Sequence, residues 1–253
     1  MLFSINYSAS GASYTESLNT SVLVTKLGTI LEMNAKPQEF KKDGSTIINA
    51  TLLDDNANPV AAQTLNFYNE THFMGSLTTD SNGNAQMKYT GVDVGVHALS
   101  VSYNESAGYL SSISAIYITV DKLGTNISAS FTPSKEKMVM VSATLEDENG
   151  KSVGNTVIDF QVFDHNNWSD FGSASTNLEG LASVAYTPSS DGLLKVRAVF
   201  NGTAEYVGSA SQQVSFFVIL FDTPAVCGVF LVAVAFGSTL CYALLWTGRR
   251  RFQ

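Results

Sequence analysis

Hydrophobic and polar residues alternate along much of the chain before residue 220. In one clear example, Leu99, Val101 and Tyr103 alternate with two serines. Side chains of a β-strand point alternately to its two faces, so this pattern predicts strands with one face in a core and the other in water. Further strand-like segments, rich in Val, Ile, Thr and Ala, lie at 47–53, 138–145 and 196–200. No stretch before residue 224 shows helical periodicity, and the chain up to there is therefore predicted to be all-β.

Turn-forming residues separate the predicted strands. Asp80-Ser81-Asn82-Gly83 and Asp147-Glu148-Asn149-Gly150 both combine Asp, Asn and Gly, the residues that adopt turn conformations most readily. About seven short strands in about 95 residues, with turns at regular intervals, indicate an antiparallel β-sandwich.

The sequence repeats itself with a period of about 96 residues. Leu27-Gly28-Thr29 recurs as Leu123-Gly124-Thr125, and the aromatic residues Tyr7, Tyr103 and Phe200 follow the same spacing. A second correspondence pairs TTDSNGNAQMKYT, which starts at Thr78, with STNLEGLASVAYT, which starts at Ser175. Agreement at several sites in the same order predicts tandem domains at 27–121 and 122–221. By the same alignment, residues 1–26 are the last two strands of an incomplete domain.

The repeated motifs resemble a known family of domains. T-T-D-x-N-G-x-A near Thr78 and Y-N-x-S-A-G-Y near Tyr103 are similar to motifs of the immunoglobulin-like repeats of bacterial and archaeal surface proteins and adhesins. The resemblance covers residues 27–219 as two domains and implies a spacer function. In the second domain Asn177-Leu178-Glu179-Gly180 replaces the Asp-x-Asn-Gly turn, so this hairpin is expected to bend differently.

The C-terminal segment is uniformly apolar. From Ala225 to Trp246 there are 22 residues without a charge, and Arg249, Arg250 and Arg251 follow. As a helix this segment would be roughly 33 Å long, which matches a bilayer core of about 30 Å. We therefore predict a single-pass transmembrane helix at 222–247 and a basic cytoplasmic tail at 248–253, with the rest of the chain extracellular.

Two other interpretations of this segment remain open, namely a buried core helix and a sorting signal that is removed. No LPxTG-like or PGF-like motif precedes the segment. It also contains both cysteines, Cys227 and Cys241, so the sandwiches are predicted to contain no disulfide and no thiolate metal site.

The start of the chain suggests a fragment or a gene start that was placed too late, because Met1 falls in the middle of a predicted strand. An alternative is that residues 1–26 donate a strand to the sheet of a partner chain.

Charge excludes one class of partner. The chain has 22 acidic and 14 basic residues, and all acidic residues lie at or before Asp222. Since three of the basic residues are the terminal arginines, the part up to Asp222 has a net charge of −11. Such a surface repels nucleic acid, so we predict no nucleic-acid partner.

Candidate modification sites are the eight Asn-x-Ser/Thr motifs, twice the roughly four expected by chance from composition. They predict N-glycosylation outside the cell, although a chain rich in Asn, Ser and Thr can also contain them by coincidence. The acceptor residues are Asn6, Asn19, Asn49, Asn69, Asn104, Asn126, Asn167 and Asn201. Asn104 and Asn201 occupy matching positions of the two repeats, after the penultimate strand.

Other candidate chemistry is sparse. His165 and Trp168 lie in a polar loop that could grip a ligand, but a solvated loop is the simpler interpretation. The acidic runs at 54–56, 80–82 and 147–149 could supply oxygen ligands to calcium, yet each also has the composition of an ordinary turn. No catalytic, cofactor or metal motif is present in the sequence, and none of these functions is predicted.

Together these features predict a non-catalytic stalk, anchored in the lipid bilayer through residues 225–246. The short linker at 120–124 contains no flexible Gly/Ser run and predicts a semi-rigid connection. Two alternatives remain open: an adhesin that binds a surface glycan or protein through its loops, and a filament or lattice subunit that pairs with neighbouring copies.

Overall fold

The computed structural model describes residues 24–133, 138–223 and 226–233. This part of the chain forms two compact units, of which the first ends at Val120 and the second begins at Asp121. The three residues Val92–Val94 are grouped with the second unit. Every regular element in the described residues is a strand, as the alternating pattern predicted.

The first unit is a sandwich of two sheets, called the first sandwich below. One sheet has the order β1-β3-β6 and the other β2-β8-β7-β4-β5. The strands are β1 (Thr29–Lys36), β2 (Glu39–Lys41), β3 (Ser45–Asp54), β4 (Thr64–Asn69), β5 (His72–Thr78), β6 (Asn84–Thr90), β7 (Gly95–Tyr103) and β8 (Ser112–Asp121).

Alternate side chains of both sheets form the core of the first sandwich. Ile48 and Leu52 from β3 face Leu65, Phe67 and Leu99 from β4 and β7, and all five are fully buried. Complete burial of one such side chain stabilises the fold by about 1.5–3 kcal/mol. The apolar positions of the sequence pattern are therefore the core positions of the sandwich.

The second unit, called the second sandwich, repeats this architecture. Its sheets have the orders β9-β10-β13 and β12-β11-β14-β16-β17, and β15 pairs with β14. The strands are β9 (Thr125–Pro133), β10 (Val139–Asp147), β11 (Val157–Asp164), β12 (Asn167–Ser175), β13 (Leu181–Tyr186), β14 (Gly192–Phe200), β15 (Ser209–Ala210), β16 (Val214–Thr223) and β17 (Val226–Ala233). Its core contains the fully buried side chains of Leu145, Ile158, Phe160, Val196 and Phe216.

Edge strands of the two larger sheets share an irregularity. A β-bulge interrupts the pairing of β4 with β5 after Phe67, and another interrupts the pairing of β11 with β12 after Phe160. The residue opposite is a glycine in both cases, Gly75 and Gly172. The two bulges therefore mark equivalent positions of the repeats.

The hairpins beyond these bulges differ in length. In the first sandwich the pair after the bulge is Tyr68 with Phe73, and in the second it is Gln161 with Asp170. Six residues lie in the first hairpin and ten in the second, counting both members of each pair. The second hairpin is thus two residue pairs longer, and the added pairs include Phe163 opposite Trp168.

The turn at Asn177 bends in the same way as its counterpart, so the prediction of a different bend is wrong. Asp80 Oδ1 accepts from the N–H groups of Asn82 and Asn84, both at 2.8 Å. Asn177 Oδ1 accepts at matching positions, from Glu179 and Leu181. An amide oxygen accepts these bonds as a carboxylate oxygen does, so Asn replaces Asp without changing the turn.

The structure does not show the predicted C-terminal helix. Val226–Ala233, the described part of that segment, is β17 and pairs antiparallel with β16. The described residues contain no helix that could span a bilayer. Residues 1–23 and 234–253 lie outside the described residues, and the predictions for them, including the N-terminal ribbon and the basic tail, stay predictions.

Candidate functional site

The start of the first sandwich is bound to the segment that leads into its last strand. The Leu27 N–H donates to the Gly108 carbonyl at 3.0 Å, and the Leu27 carbonyl accepts from the Leu110 N–H at 2.9 Å. These two bonds flank a parallel bridge between Leu27 and Tyr109. Residues 27–29 and 108–112 are called the terminal clamp of the first sandwich.

Side chains reinforce this clamp. The Thr29 hydroxyl donates to the Leu110 carbonyl at 2.9 Å and lies 2.7 Å from the Ser112 hydroxyl. Lys26 forms an ion pair with Glu105 just outside it. Because the pair is largely solvent-exposed, the backbone and hydroxyl bonds contribute most of the stabilisation.

The second sandwich contains the same clamp, formed by residues 123–125 and 205–209. Leu123 exchanges backbone hydrogen bonds with Glu205 and Val207, at 3.0 and 2.8 Å. The Thr125 hydroxyl donates to the Val207 carbonyl and lies 2.7 Å from the Ser209 hydroxyl. The repeated Leu-Gly-Thr motif of the sequence is therefore one strand of a clamp, a role that sequence reasoning missed.

The predicted ligand loop is a two-residue turn between β11 and β12. His165 and Asn166 both have positive φ, of 48° and 64°, and their side chains are exposed. His165 Nδ1 lies 2.9 Å from the Asp164 carboxylate. The pKa of Tyr186 is raised, first by burial and second by the charge of Asp164. The positive φ of both His165 and Asn166 is typical of a type I′ hairpin turn.

Trp168 lies beside this turn but is half-buried. Its ring centroid lies 5.2 Å from that of Phe163, and the Arg197 guanidinium carbon lies 4.4 Å from the ring centroid. In the same way, the Lys195 Nζ atom lies 5.4 Å from the centroid of the Phe163 ring. Since Arg197 already covers part of the ring, Trp168 holds the extended hairpin against β14.

A short chain of hydrogen bonds continues across this face. Arg197 Nε donates to Gln161 Oε1, and Gln161 Nε2 donates to Asp170 Oδ1, each at 2.8 Å. His165 and Trp168 have different environments: the first is solvent-exposed beside Asp164, and the second is part of a packed surface cluster.

The acidic runs considered for calcium are used in turns. Asp54 Oδ1 accepts from the N–H groups of Asn56 and Asn58, and Asp147 Oδ1 accepts from those of Asn149 and Lys151. Hydrogen bonds from the backbone and side chain of Asn58 lower the pKa of Asp54. Within the described ranges no group of three or more His, Cys, Asp or Glu is placed to hold a metal ion.

The glycosylation motifs fall into three groups. Asn104, Asn126, Asn167 and Asn201 are exposed. Asn49 and Asn69 are half-buried: Asn49 donates to Asn34, and Asn69 Nδ2 donates to the Tyr89 hydroxyl. Asn6 and Asn19 lie outside the described residues.

The outer face of the sheet β8-β7-β4-β5 in the first sandwich was not singled out by its sequence. The exposed charged residues Glu39 and Lys41 lie on the adjoining strand β2, and the N–H of the exposed Glu70 donates to the Ala98 carbonyl at 2.7 Å. We call this surface the outer face of the first sandwich. Its residues are Ile113, Ala115, Tyr117 and Thr119 on β8, Val96, Ala98, Ser100 and Ser102 on β7, and Asn66, Tyr68, Phe73 and Ser76 on β4 and β5. The signal for it is present in the sequence, because Ile113 and Tyr117 are large residues at the polar positions of the alternation.

The equivalent face of the second sandwich is charged. The register aligns Leu99 with Val196, since they pair with Asn69 and Val162 respectively. Ala98 and Ser100 therefore correspond to Lys195 and Arg197. The two repeats share their cores, turns and clamps but present different outer surfaces.

No known protein-family profile matches the sequence, and no curated protein matches it. Among solved structures, the chain is similar to the adhesin InvE of Yersinia pseudotuberculosis, with 17% identity over 73% of this chain and 58% of that one and a TM-score of 0.42. It is also similar to invasin, described as a bacterial integrin-binding protein, with 15% identity over 76% and 46% of the two chains and a TM-score of 0.46. The D0-D1 domain of intimin is matched at 20% identity over 74% and 100%, with a TM-score of 0.31.

These similarities concern the fold alone. At that level they agree with the resemblance of the repeat motifs to immunoglobulin-like domains of bacterial surface proteins. The chain spans 58% and 46% of the first two structures, about half of their length.

Proposed function

We propose that the protein is a non-catalytic, single-pass stalk of the cell surface, which carries a distal module away from the membrane under tension. Residues 225–246 would anchor it in the bilayer as a helix, which requires that Val226–Ala233 leave their pairing with β16, and the arginines at 249–251 would remain in the cytoplasm. The uncharged length of the first segment and the position of the second support this topology.

The terminal clamps are the observation that carries the mechanical part of this proposal. In each sandwich the chain enters through the first clamp strand and leaves through the last sheet strand, β8 or β16. The clamp segments run parallel to each other. A pull on the two ends of a sandwich therefore slides the clamp segments past each other along their length.

This sliding geometry resists force because it acts on all clamp bonds at once. Two backbone bonds and the threonine contacts of each clamp must stretch together before either sandwich can open. In a geometry that peels strands apart, the bonds would break one after another. A fold that only had to remain soluble would not require the same clamp in both repeats.

The exposed glycosylation motifs are consistent with an extracellular location of the two sandwiches. We propose that Asn104, Asn126 and Asn167 are the glycosylated positions, since their side chains are exposed. Asn201 Nδ2 donates to the Asp159 carboxylate at 2.7 Å, and a glycan there would displace this hydrogen bond. At Asn69 a glycan would displace the hydrogen bond to Tyr89 and is not expected.

Labelling of the two chain ends tests the topology. The full chain is expressed with one epitope tag before Met1 and another after Gln253. Antibody added to intact cells should label the first tag, and the second should be labelled only after permeabilisation. A variant that ends at Pro224 should appear in the medium. Retention of this variant in the membrane, or labelling of the C-terminal tag on intact cells, would refute the anchor.

A further inference from the structure

β17 lies at a sheet edge that the first sandwich covers in another way. β8 and β16 are equivalent strands of the two repeats, each beside the central strand β7 or β14. On its other side β8 is covered by β2, where the Thr119 N–H donates to the Gln38 carbonyl at 2.8 Å. The other side of β16 is covered by β17. Val226–Ala233 therefore occupies in the second sandwich the place that Glu39–Lys41 occupies in the first.

The two repeats differ in the connection that supplies this cover. In the first sandwich eight residues, 37–44, connect β1 to β3, and three of them form β2. In the second sandwich five residues, 134–138, connect β9 to β10. The second connection is thus shorter by three residues, which is the length of β2. Among the described strands of the second sandwich, β14 pairs with one side of β16 and β17 with the other.

β17 has the composition and the pairing of a strand that is favoured in water. Its sequence is VCGVFLVA, in which Val and Phe, residues of high β propensity, take four of the eight positions. All eight residues pair with β16, from Val226 opposite Thr223 to Ala233 opposite Phe216. The pairing satisfies backbone groups on one edge of β17, and water can satisfy those on the other. Since an apolar segment is also costly to leave unfolded in water, the docked strand is favoured there.

A bilayer reverses this preference. In the hydrocarbon core no water can satisfy the free edge of β17, so a strand paired on one side leaves polar backbone groups without partners. A helix satisfies these groups within the segment itself. Val226–Ala233 belongs to the uncharged run from Ala225 to Trp246, which is long enough to span the core as a helix. The two environments therefore favour different conformations of the same residues.

We propose that Val226–Ala233 is a membrane-dependent switch. In water it covers the edge of β16 as β17, and in a bilayer it leaves that edge and becomes the first part of a helix. The switch rests on the proposed function, because this helix is the proposed membrane anchor. Before insertion the docked strand protects an apolar segment and a sheet edge from pairing with other molecules. After insertion the edge of β16 is uncovered.

Disulfide trapping of the two strands tests the switch. The full chain carries Cys227→Ser and Cys241→Ser, which remove the native thiols, together with Phe217→Cys and Val232→Cys, whose positions are opposite each other in the register. In the matched control Leu231→Cys replaces Val232→Cys, because neighbouring residues of a strand point to opposite faces. Phe217 is exposed, so the substitution common to both variants should leave the core intact.

Each variant is synthesised in a cell-free system, either in buffer or with vesicles of phosphatidylcholine and phosphatidylglycerol, and is then oxidised. Thiols that remain free are labelled with a polymer-linked maleimide. In buffer the variant with opposed cysteines should form the disulfide at least about tenfold more often than the control, whose cysteines point apart. With vesicles this disulfide should become at least about tenfold rarer in the protein that resists extraction by alkaline carbonate.

Carbonate extraction separates failure of the switch from failure of the anchor. If the protein resists extraction but the opposed cysteines form no more disulfide in buffer than the control, the switch is overturned and the anchor stands. A disulfide that persists in the extraction-resistant protein also overturns the switch. If all of the protein is extracted, the anchor fails and the switch fails with it. The chain without substitutions should gain helical circular dichroism when vesicles are added, and no gain would likewise overturn the switch.

Discussion

Removal of one hydroxyl from the first terminal clamp should make the first sandwich yield to force more easily, and the second should be unaffected. The change is Thr29→Val, which keeps the β-branched shape and deletes only the oxygen. That oxygen donates to the Leu110 carbonyl and contacts the Ser112 hydroxyl. The equivalent Thr125 stays intact, so each molecule contains its own reference.

The magnitude follows from these two contacts. A hydrogen bond contributes about 0.5–1.5 kcal/mol net, and this site is partly open to water, so we expect a loss of about 1–2 kcal/mol. When a pull opens the sandwich, the clamp is broken at the top of the barrier. The whole loss therefore appears in the barrier, and the unfolding rate at constant force should rise about 5- to 30-fold.

The assay is single-molecule force spectroscopy on the full chain in detergent, with handles at both ends. Each sandwich of about 95 residues has an extended length of about 34 nm and a folded span of about 3.5 nm, so its unfolding should lengthen the chain by about 30 nm. Two such events are expected in the wild type. In Thr29→Val one event should accelerate and the other should keep its rate.

Thr79→Val is the control. The buried Thr79 hydroxyl donates to the Val60 carbonyl at 2.8 Å and accepts from the Gln63 N–H at 3.0 Å, away from the clamp. This variant should lose stability to denaturant but not unfold faster under force, because its contacts are intact when the clamp opens. Equal acceleration in both variants, or none in Thr29→Val, would refute the reasoning.

Three further outcomes are expected. Hydrogen bonds hold the pKa of Asp54 below its ordinary value of 3.8, so the stability that they provide is present above pH 3.8 and is lost as the pH falls through the lowered pKa. In acid titrations followed by circular dichroism, the stability advantage of the wild type over Asp54→Asn should therefore disappear in that pH range. A stability difference that stayed constant with pH would contradict this prediction. In urea unfolding, Trp168→Ala should lower the free energy of unfolding by about 1–2 kcal/mol and His165→Asn by less than about 0.5 kcal/mol, because only Trp168 is packed against other side chains. Equal losses in the two variants would show that the packing of Trp168 is unimportant. Gly180→Ala should lower the free energy of unfolding by about 2–4 kcal/mol, since its Cβ would lie 2.4 Å from the Leu145 carbonyl oxygen at a φ of +76°. Gly150→Ala has open space around its Cβ and should lower it by about 1–2 kcal/mol, because of its φ of +80° alone. If thermal unfolding ranked the two variants in the reverse order, the clash at Gly180 would be excluded.

The alternation and the repeat were enough to predict the sandwiches, because the alternation depends on residues close together in sequence and the repeat can be found by comparing the sequence with itself. The 97-residue spacing of Tyr103 and Phe200 corresponds to the last residues of β7 and β14. The burial of Trp168 could not be predicted in this way. It results from Arg197, which is distant in sequence and reaches Trp168 only through the pairing of β11 with β14.

One wrong prediction and one unconfirmed prediction have separate physical causes. The replacement of Asp80 by Asn177 looked like a change of turn, but both side chains offer the same acceptor oxygen to the same N–H groups. Val226–Ala233 contains no polar residue to set a period, so composition cannot distinguish a strand from a helix over the eight residues of β17. The prediction of a helix relied on the length of the whole apolar run.

The matching bulges of the two sandwiches have a consequence for crowded surfaces. β5 and β12 each form one edge of their sheet, and the irregular step lies next to Gly75 in β5 and next to Gly172 in β12. A strand from a neighbouring molecule could not keep its hydrogen bonds in step across such an interruption. Copies packed densely side by side would therefore not join into a continuous sheet through these two edges.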